Sequence, residues 1–125
     1  MVIDTSALVA LINGEPEAPA IYDKISAAPT LVMSAATLLE FTIVLGHSRK
    51  ELAQSFVRDL GISVVPFNDA QLATAQDAFY RFGRNSGSPA KLNFGDCFSY
   101  AAAKTLEQPL LFKGQDFIHT DVEQA

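Results

Sequence analysis

The sequence predicts an α/β sandwich with a central, mostly parallel sheet of four to five strands flanked by helices. Two observations carry this prediction. Apolar clusters of strand length alternate with longer stretches of helical period, the pattern of a parallel sheet covered by helices. The strand-like clusters also stop at residues suited to starting a helix, as at Ser34 and at Asn68 or Asp69.

Residues 1–4 read as the first strand, a short apolar run stopped by Asp4. A short helix over 6–12 follows, capped by Thr5 or Ser6 and closed by Asn13-Gly14. A second helix runs from Pro16 to about Ala28, with Ile21 and Ile25 on one face and Pro29 stopping it. Leu31-Val32-Met33 is the second strand, and Ser34 caps a helix reaching Gly46. The next helix spans about Arg49 to Leu60 and ends at Gly61. Ile62 to Phe67 forms a third strand, edge-like because of Pro66. Asn68 or Asp69 then caps a helix in which Leu72, Ala75, Phe79 and Phe82 keep near-helical spacing. Gly83 to Pro89 is a flexible loop rich in glycine and serine. A helix from Asp96 to about Leu106 leads to a fourth strand, Leu110-Leu111-Phe112, with a possible fifth at Phe117 to Thr120.

A length of 125 residues, 49% of them hydrophobic, suits one globular domain with a real core. No apolar run approaches a membrane span, and no basic segment followed by an apolar stretch marks a secretory signal. The only cysteine, Cys97, makes no internal disulfide, which suits a reducing cytoplasm. It reads as a small buried hydrophobe, since no histidine is placed to activate it. His47 and His119 lack the spacing of a zinc site. A net charge of −5 argues against nucleic-acid binding by general basicity. It leaves open a cluster of acids gathered around a divalent cation.

Most of the acids have polar neighbours and read as solvated surface. Asp4, Glu40, Asp96 and Asp116 do not. Asp4 ends a strand, where open α/β sheets place ligands, although a turn or cap role fits it as well. Glu40 stands in Leu38-Leu39-Glu40-Phe41-Thr42-Ile43-Val44-Leu45, apolar on nearly every side. Unless it faces solvent there, its charge costs several kcal/mol without a cation or is lost through a raised pKa. Asp96 follows Gly95 in the first turn of a helix, where capping alone also explains an acid. Asp116 follows the fourth strand, where a turn aspartate is equally ordinary. In a parallel sheet these four positions can converge at one end, and an all-oxygen set selects Mg²⁺ or Mn²⁺. Ser6 is placed to orient a carboxylate or a bound water.

Four segments fall in one order and spacing: Val2-Ile3-Asp4-Thr5-Ser6-Ala7-Leu8, Ser34 to Glu40, Asn93-Phe94-Gly95-Asp96-Cys97, and Leu110 to Phe117. On these the chain resembles the PIN-domain ribonucleases, specifically the toxins of VapBC-type toxin–antitoxin pairs (the VapC family). The resemblance covers essentially all of 1–125 as a single PIN domain. It implies a PIN-like three-layer sandwich and metal-dependent endonucleolytic cleavage of RNA by a toxin that a VapB-like antitoxin inhibits. It also implies a homodimer. Carried over by position, Asp4, Glu40, Asp96 and Asp116 become the catalytic, metal-binding quartet for Mg²⁺ or Mn²⁺, with Ser6 as the nearby hydroxyl. Gln115 departs from the pattern, where many relatives carry an acid or asparagine. Arg49, Lys91, Lys104 and Lys113 are candidates for positioning phosphates.

Two other Mg²⁺-dependent classes fit less well. A receiver domain wants an acid at the end of the third strand, where Val65-Pro66-Phe67-Asn68 offers none. A haloacid-dehalogenase-type phosphatase wants an aspartate where Ser6 stands. A non-catalytic module docking through its apolar helices is the remaining alternative.

Overall fold

A computed structural model describes all of residues 1–125. Its elements run β1 (Val2–Ile3), α1 (Thr5–Asn13), α2 (Ala18–Ala27), β2 (Val32–Ser34), α3 (Ala35–Leu45), a 3₁₀ turn (His47–Arg49), α4 (Lys50–Asp59), β3 (Ser63–Val65), α5 (Asp69–Phe82), α6 (Phe94–Leu106) and β4 (Leu110–Leu111). The strands form one parallel sheet in the order β3-β2-β1-β4.

Register explains how such short strands hold two layers of helices. Val2 pairs with Val32 and Leu110, and Ile3 pairs with Leu111. Successive strand residues face opposite sides of a sheet. Val2, Val32 and Leu110 therefore join a core completed by Ala75 and Ala78 of α5 and Tyr100 and Ala101 of α6. Ile3, Met33 and Leu111 join the other core, with Leu8, Ile21, Phe41 and Ala53 from the first four helices. β1 is interior and fully buried.

The chain steps from β1 to β2 to β3, then crosses back to place β4 on the other flank of β1. The order of connections reverses between β1 and β4. That reversal is the position, beyond the carboxyl ends of the two strands, at which open parallel sheets form the crevice that binds ligands.

Three expectations need correction. The cap of α1 is neither Thr5 nor Ser6 but Asp4, whose side chain accepts from the Ser6 N–H. The helix expected from Asp96 begins at Phe94, because Asn93 caps it. Phe117 to Thr120 is not a strand. Its backbone folds into turns, with Ile118 N–H bonded to Gln115 and Thr120 N–H to Phe117, while the Phe117 ring is buried. The free edge of β4 is met instead by Glu123 to Ala125, through a single parallel bridge from Leu110 to Gln124. β3 lies at the sheet edge as expected, with Pro66 just beyond its last paired residue.

Candidate metal centre

Asp4 leaves the end of β1 as its own N–H bonds to the Leu111 carbonyl of β4. Its carboxylate is only 5% exposed, and three donors hold it. Oδ2 accepts from the Ser6 N–H at 2.9 Å and the Ser6 hydroxyl at 2.6 Å, while Oδ1 accepts from the Ser99 hydroxyl at 2.6 Å. Short charge-assisted bonds of this kind are about twice as strong as neutral ones. The one hydroxyl proton of Ser99 points at Asp4, so Thr37 donates to Ser99 at 3.2 Å. The Ser6 hydroxyl in turn accepts from the Lys113 N–H at 2.9 Å, tying the loop after β4 to the start of α1. Ser6 thus orients a carboxylate, the role its position suggests.

Glu40 approaches from α3. Thr5 donates to its Oε2 at 2.7 Å, and the carboxylate lies against the backbone of Gly95, where a Cβ would overlap it. The absence of a side chain at Gly95 is what admits Glu40 so closely. The carboxyl sits at the first turn of α6, where the positive end of the helix dipole favours it. Burial nevertheless raises its pKa; the Thr5 bond opposes this, and the charge of Asp4 adds to it.

Asp96 occupies the third position of α6 in a capping box. Its Oδ2 accepts from the Asn93 N–H at 2.7 Å, and the Asn93 side chain accepts from the Asp96 N–H at 3.0 Å. Its Oδ1 makes no hydrogen bond. Burial pushes this carboxyl up to about 6, and the charges of Asp4, Asp116 and Glu40 push the same way. Asp116 stands exposed on the turn after β4, at the open side of the crevice.

The four acids therefore share one electrostatic neighbourhood at the switch point, and none forms an ion pair. No three acidic, imidazole or thiol side chains close to ligating distance of one point. What the residues share is a field and an all-oxygen donor set, which fits a hard divalent cation. The Cys97 thiol, pushed up to about 11 by burial and by Asp96, stays protonated and inert.

Thr5, Thr37 and Ser99 were not expected at the site. Ser99 follows Asp96 by three residues and Thr37 precedes Glu40 by three, a spacing that stacks side chains on one helical face. The spacing was a usable signal. Asp121 was also passed over, and it is structural. It accepts from the Tyr100 hydroxyl at 2.5 Å and pairs with Arg81 at 2.9 Å and Lys104 at 3.7 Å.

Comparison with known proteins identifies the family and the fold. The profile of the PIN domain matches residues 1–123. The chain belongs to the PIN-domain family. It is 41% identical over 129 aligned residues to Ribonuclease VapC28 of Mycobacterium tuberculosis, covering the whole of this chain and 97% of that one. Among solved structures it resembles Mycobacterium tuberculosis VapC20, described as a sarcin-ricin loop cleaving toxin. That match has a TM-score of 0.78 at 18% identity, covering 99% of this chain and 97% of the other. VapBC2 of Rickettsia felis, solved on a DNA fragment from its promoter, matches with a TM-score of 0.75 at 15% identity, covering 99% and 96%. At such identities the structures establish the fold, and the PIN-like three-layer sandwich is the fold observed.

Two stability measurements test the electrostatics and packing. In the absence of divalent ions, native Asp96 keeps its proton up to about pH 6, whereas an unfolded aspartate releases it near ~3.9. The native state binds more protons between those values, so stability falls as pH rises through that window and stays low above it. Melting curves from acid to neutral pH will show this fall, and Asp96→Asn, which keeps the capping acceptor, will flatten it. An unchanged slope in the variant contradicts the assignment. Gly95→Ala will displace the Glu40 carboxylate from its Thr5 bond, a loss of roughly 0.5–1.5 kcal/mol that offsets the helical gain of alanine. In a Glu40→Ala background the same change will be neutral or stabilising, since alanine outperforms glycine in a helix by about 0.5–1 kcal/mol.

Proposed function

We propose that this chain is a divalent-metal-dependent endoribonuclease acting as the toxin of a type II toxin–antitoxin pair. The observation that supports the proposal is a set of four carboxylates without ion-pair partners that feel one another's charge near the sheet's switch point. Family membership and the ribonucleases among its relatives support it.

In this reading Asp4 and Asp96 are the most direct ligands of Mg²⁺ or Mn²⁺, with Glu40 and Asp116 completing the set. A divalent ion held by these residues would supply activation of water for in-line attack on the phosphodiester and neutralisation of charge on the scissile phosphate. The chain supplies everything else. Ser6 and Ser99 fix Asp4 so that it need not reorganise when substrate arrives. Thr5 fixes Glu40, whose raised pKa suits it to move a proton at its carboxyl oxygen. Asp116, on the exposed turn after β4, would complete the donor set. Without a cation the acids repel RNA, so substrate binding and metal binding are coupled.

The antitoxin and the homodimer require surface to cover. Ile21 and Ile25 of α2 are buried in the core, but Tyr22 is exposed. Leu39 and Ile43 on α3 are 61% and 69% exposed, and Val44 beside them is exposed as well. These side chains support docking of an amphipathic antitoxin segment. An arginine or lysine reaching from it to the acids would occupy the cation position.

Purified protein will cleave total RNA with Mg²⁺ or Mn²⁺ and not in excess EDTA, and Asp96→Asn will lose at least about 100-fold in rate. Cleavage undiminished by the chelator removes the metal mechanism. Expression alone will arrest growth, and Asp96→Asn will not. Co-expression with the neighbouring upstream gene will relieve the arrest and yield a co-purifying complex. An active nuclease that is harmless in cells and brings down no small protein would overturn the toxin reading alone.

A further inference from the structure

Nine lysines and arginines serve a chain of net charge −5, and most are already engaged. Arg58 pairs with Asp59, Arg81 with Asp77 and Asp121, and Lys104 with Asp121. Lys113 grips Glu15 and sits 3.1 Å from Glu17, so its ammonium is turned from the crevice toward the α1–α2 connection. Lys24 donates to the Ala125 carbonyl and Arg49 to the Asn13 side chain. Only Lys50, Arg84 and Lys91 hold no acid and no hydrogen-bond acceptor.

Arg84 and Lys91 share one cleft. It has a volume of about 640 Å³, is lined also by Asn85, Gly87, Ser88 and Asp116, and contains no hydrophobic residue. Asp116 belongs to the acid cluster, so the cleft opens directly beside it. The segment bearing the two cations is held in shape. Leu92 N–H bonds to the Phe82 carbonyl and Arg84 N–H to the Leu92 carbonyl, closing the base of the loop. Ser86 and Ser88 hydroxyls accept from the Ser88 and Ala90 N–H groups, and Ala90 and Leu92 are buried beneath it. Asn85 and Lys91 adopt left-handed backbone, with φ of 69° and 54°. Such conformations cost about 1–3 kcal/mol for residues with a Cβ and persist only where the surroundings fix them.

We propose that Arg84 and Lys91 are positioning residues that bind the backbone phosphates of single-stranded RNA flanking the scissile bond, with Asn85 and Ser88 offering hydrogen bonds along the same track. The proposal deepens the ribonuclease reading and rests on it. Two cations on a pinned loop attract a polyanion where the acids alone repel it. Arginine in particular presents a planar fork that matches phosphate. Of the cations singled out in the sequence, only Lys91 is both free and beside the acids, and Arg84 takes the place of the others.

The test uses a short, labelled, single-stranded RNA of random sequence as the binding probe, with Mg²⁺ present, and total RNA as the cleavage probe. Binding is measured in an Asp96→Asn background so that the probe survives, and cleavage in the otherwise native chain. Arg84→Gln with Lys91→Asn, an amino acid that accepts left-handed backbone, will weaken binding roughly 5- to 50-fold at low salt. The slope of log affinity against log salt will fall by about 0.7 for each phosphate that no longer meets a cation. Cleavage will slow at low RNA concentration and recover to within about twofold at saturation, the signature of weakened uniform binding. Arg84→Lys will retain most of the slope, which a merely structural role would not allow. Lys50→Gln, at the start of α4 in the opposite layer, will change nothing. Should the double variant melt early, Arg84→Gln alone, at a position without backbone strain, decides the matter. A native chain that cuts RNA while the clamp variants bind and cut like it overturns the clamp and leaves the nuclease standing. A native chain that neither binds nor cuts RNA with either metal ends both.

Discussion

The structure turns on a buried negative charge that no positive charge answers. Asp4 is held by a backbone N–H and two serine hydroxyls, and those three bonds connect β1, α1 and α6. Through Ser6 the same network reaches the backbone after β4. The carboxylate that metal-assisted phosphodiester hydrolysis would need is thus also the cap of the first helix and a knot between the two layers. Dipoles stabilise it without cancelling its charge, which leaves that charge available to a cation. An arginine partner would have stabilised it more simply and removed its use.

The same logic explains the distribution of basic residues. Arg81, Lys104 and Lys113 neutralise acids remote from the crevice. None is spent on the four carboxylates; burial raises the pKa of Asp96, and the charges of the other three add to the rise. Burial and repulsion together make these acids costly to ionise, a cost that a bound cation would relieve.

Much of this was legible from residue order. β1, β2 and β4 were readable because buried parallel strands are continuous apolar runs. Glu40 stood out because a carboxylate inside Leu38 to Leu45 contradicts its surroundings. The cap at Asp4 was not separable from a ligand role, since both ask for an acid at a strand end, and the structure gives Asp4 the cap while leaving its charge unpaired. Phe117 to Thr120 looked like a strand because an aromatic and a β-branched residue favour one, but Phe117 is buried by turns rather than by a ladder. Which lysine is free is a fact about distant partners, such as Glu15 for Lys113, and no local pattern encodes it. Hydroxyls are similarly silent: Ser99 resembles any small helical residue until Asp4 is seen to face it.

The contact between Glu40 and Gly95 joins two positions far apart in the chain into a single inherited unit. Wherever the glutamate keeps this position, a side chain at the glycine would force its carboxylate to move, on steric grounds that are independent of chemistry. Once the glutamate is gone, nothing restrains the glycine, and helix propensity favours its replacement by alanine. Descendants that lose the acid on α3 should accordingly come to carry a side chain before the α6 aspartate, so the two positions are expected to change together rather than independently.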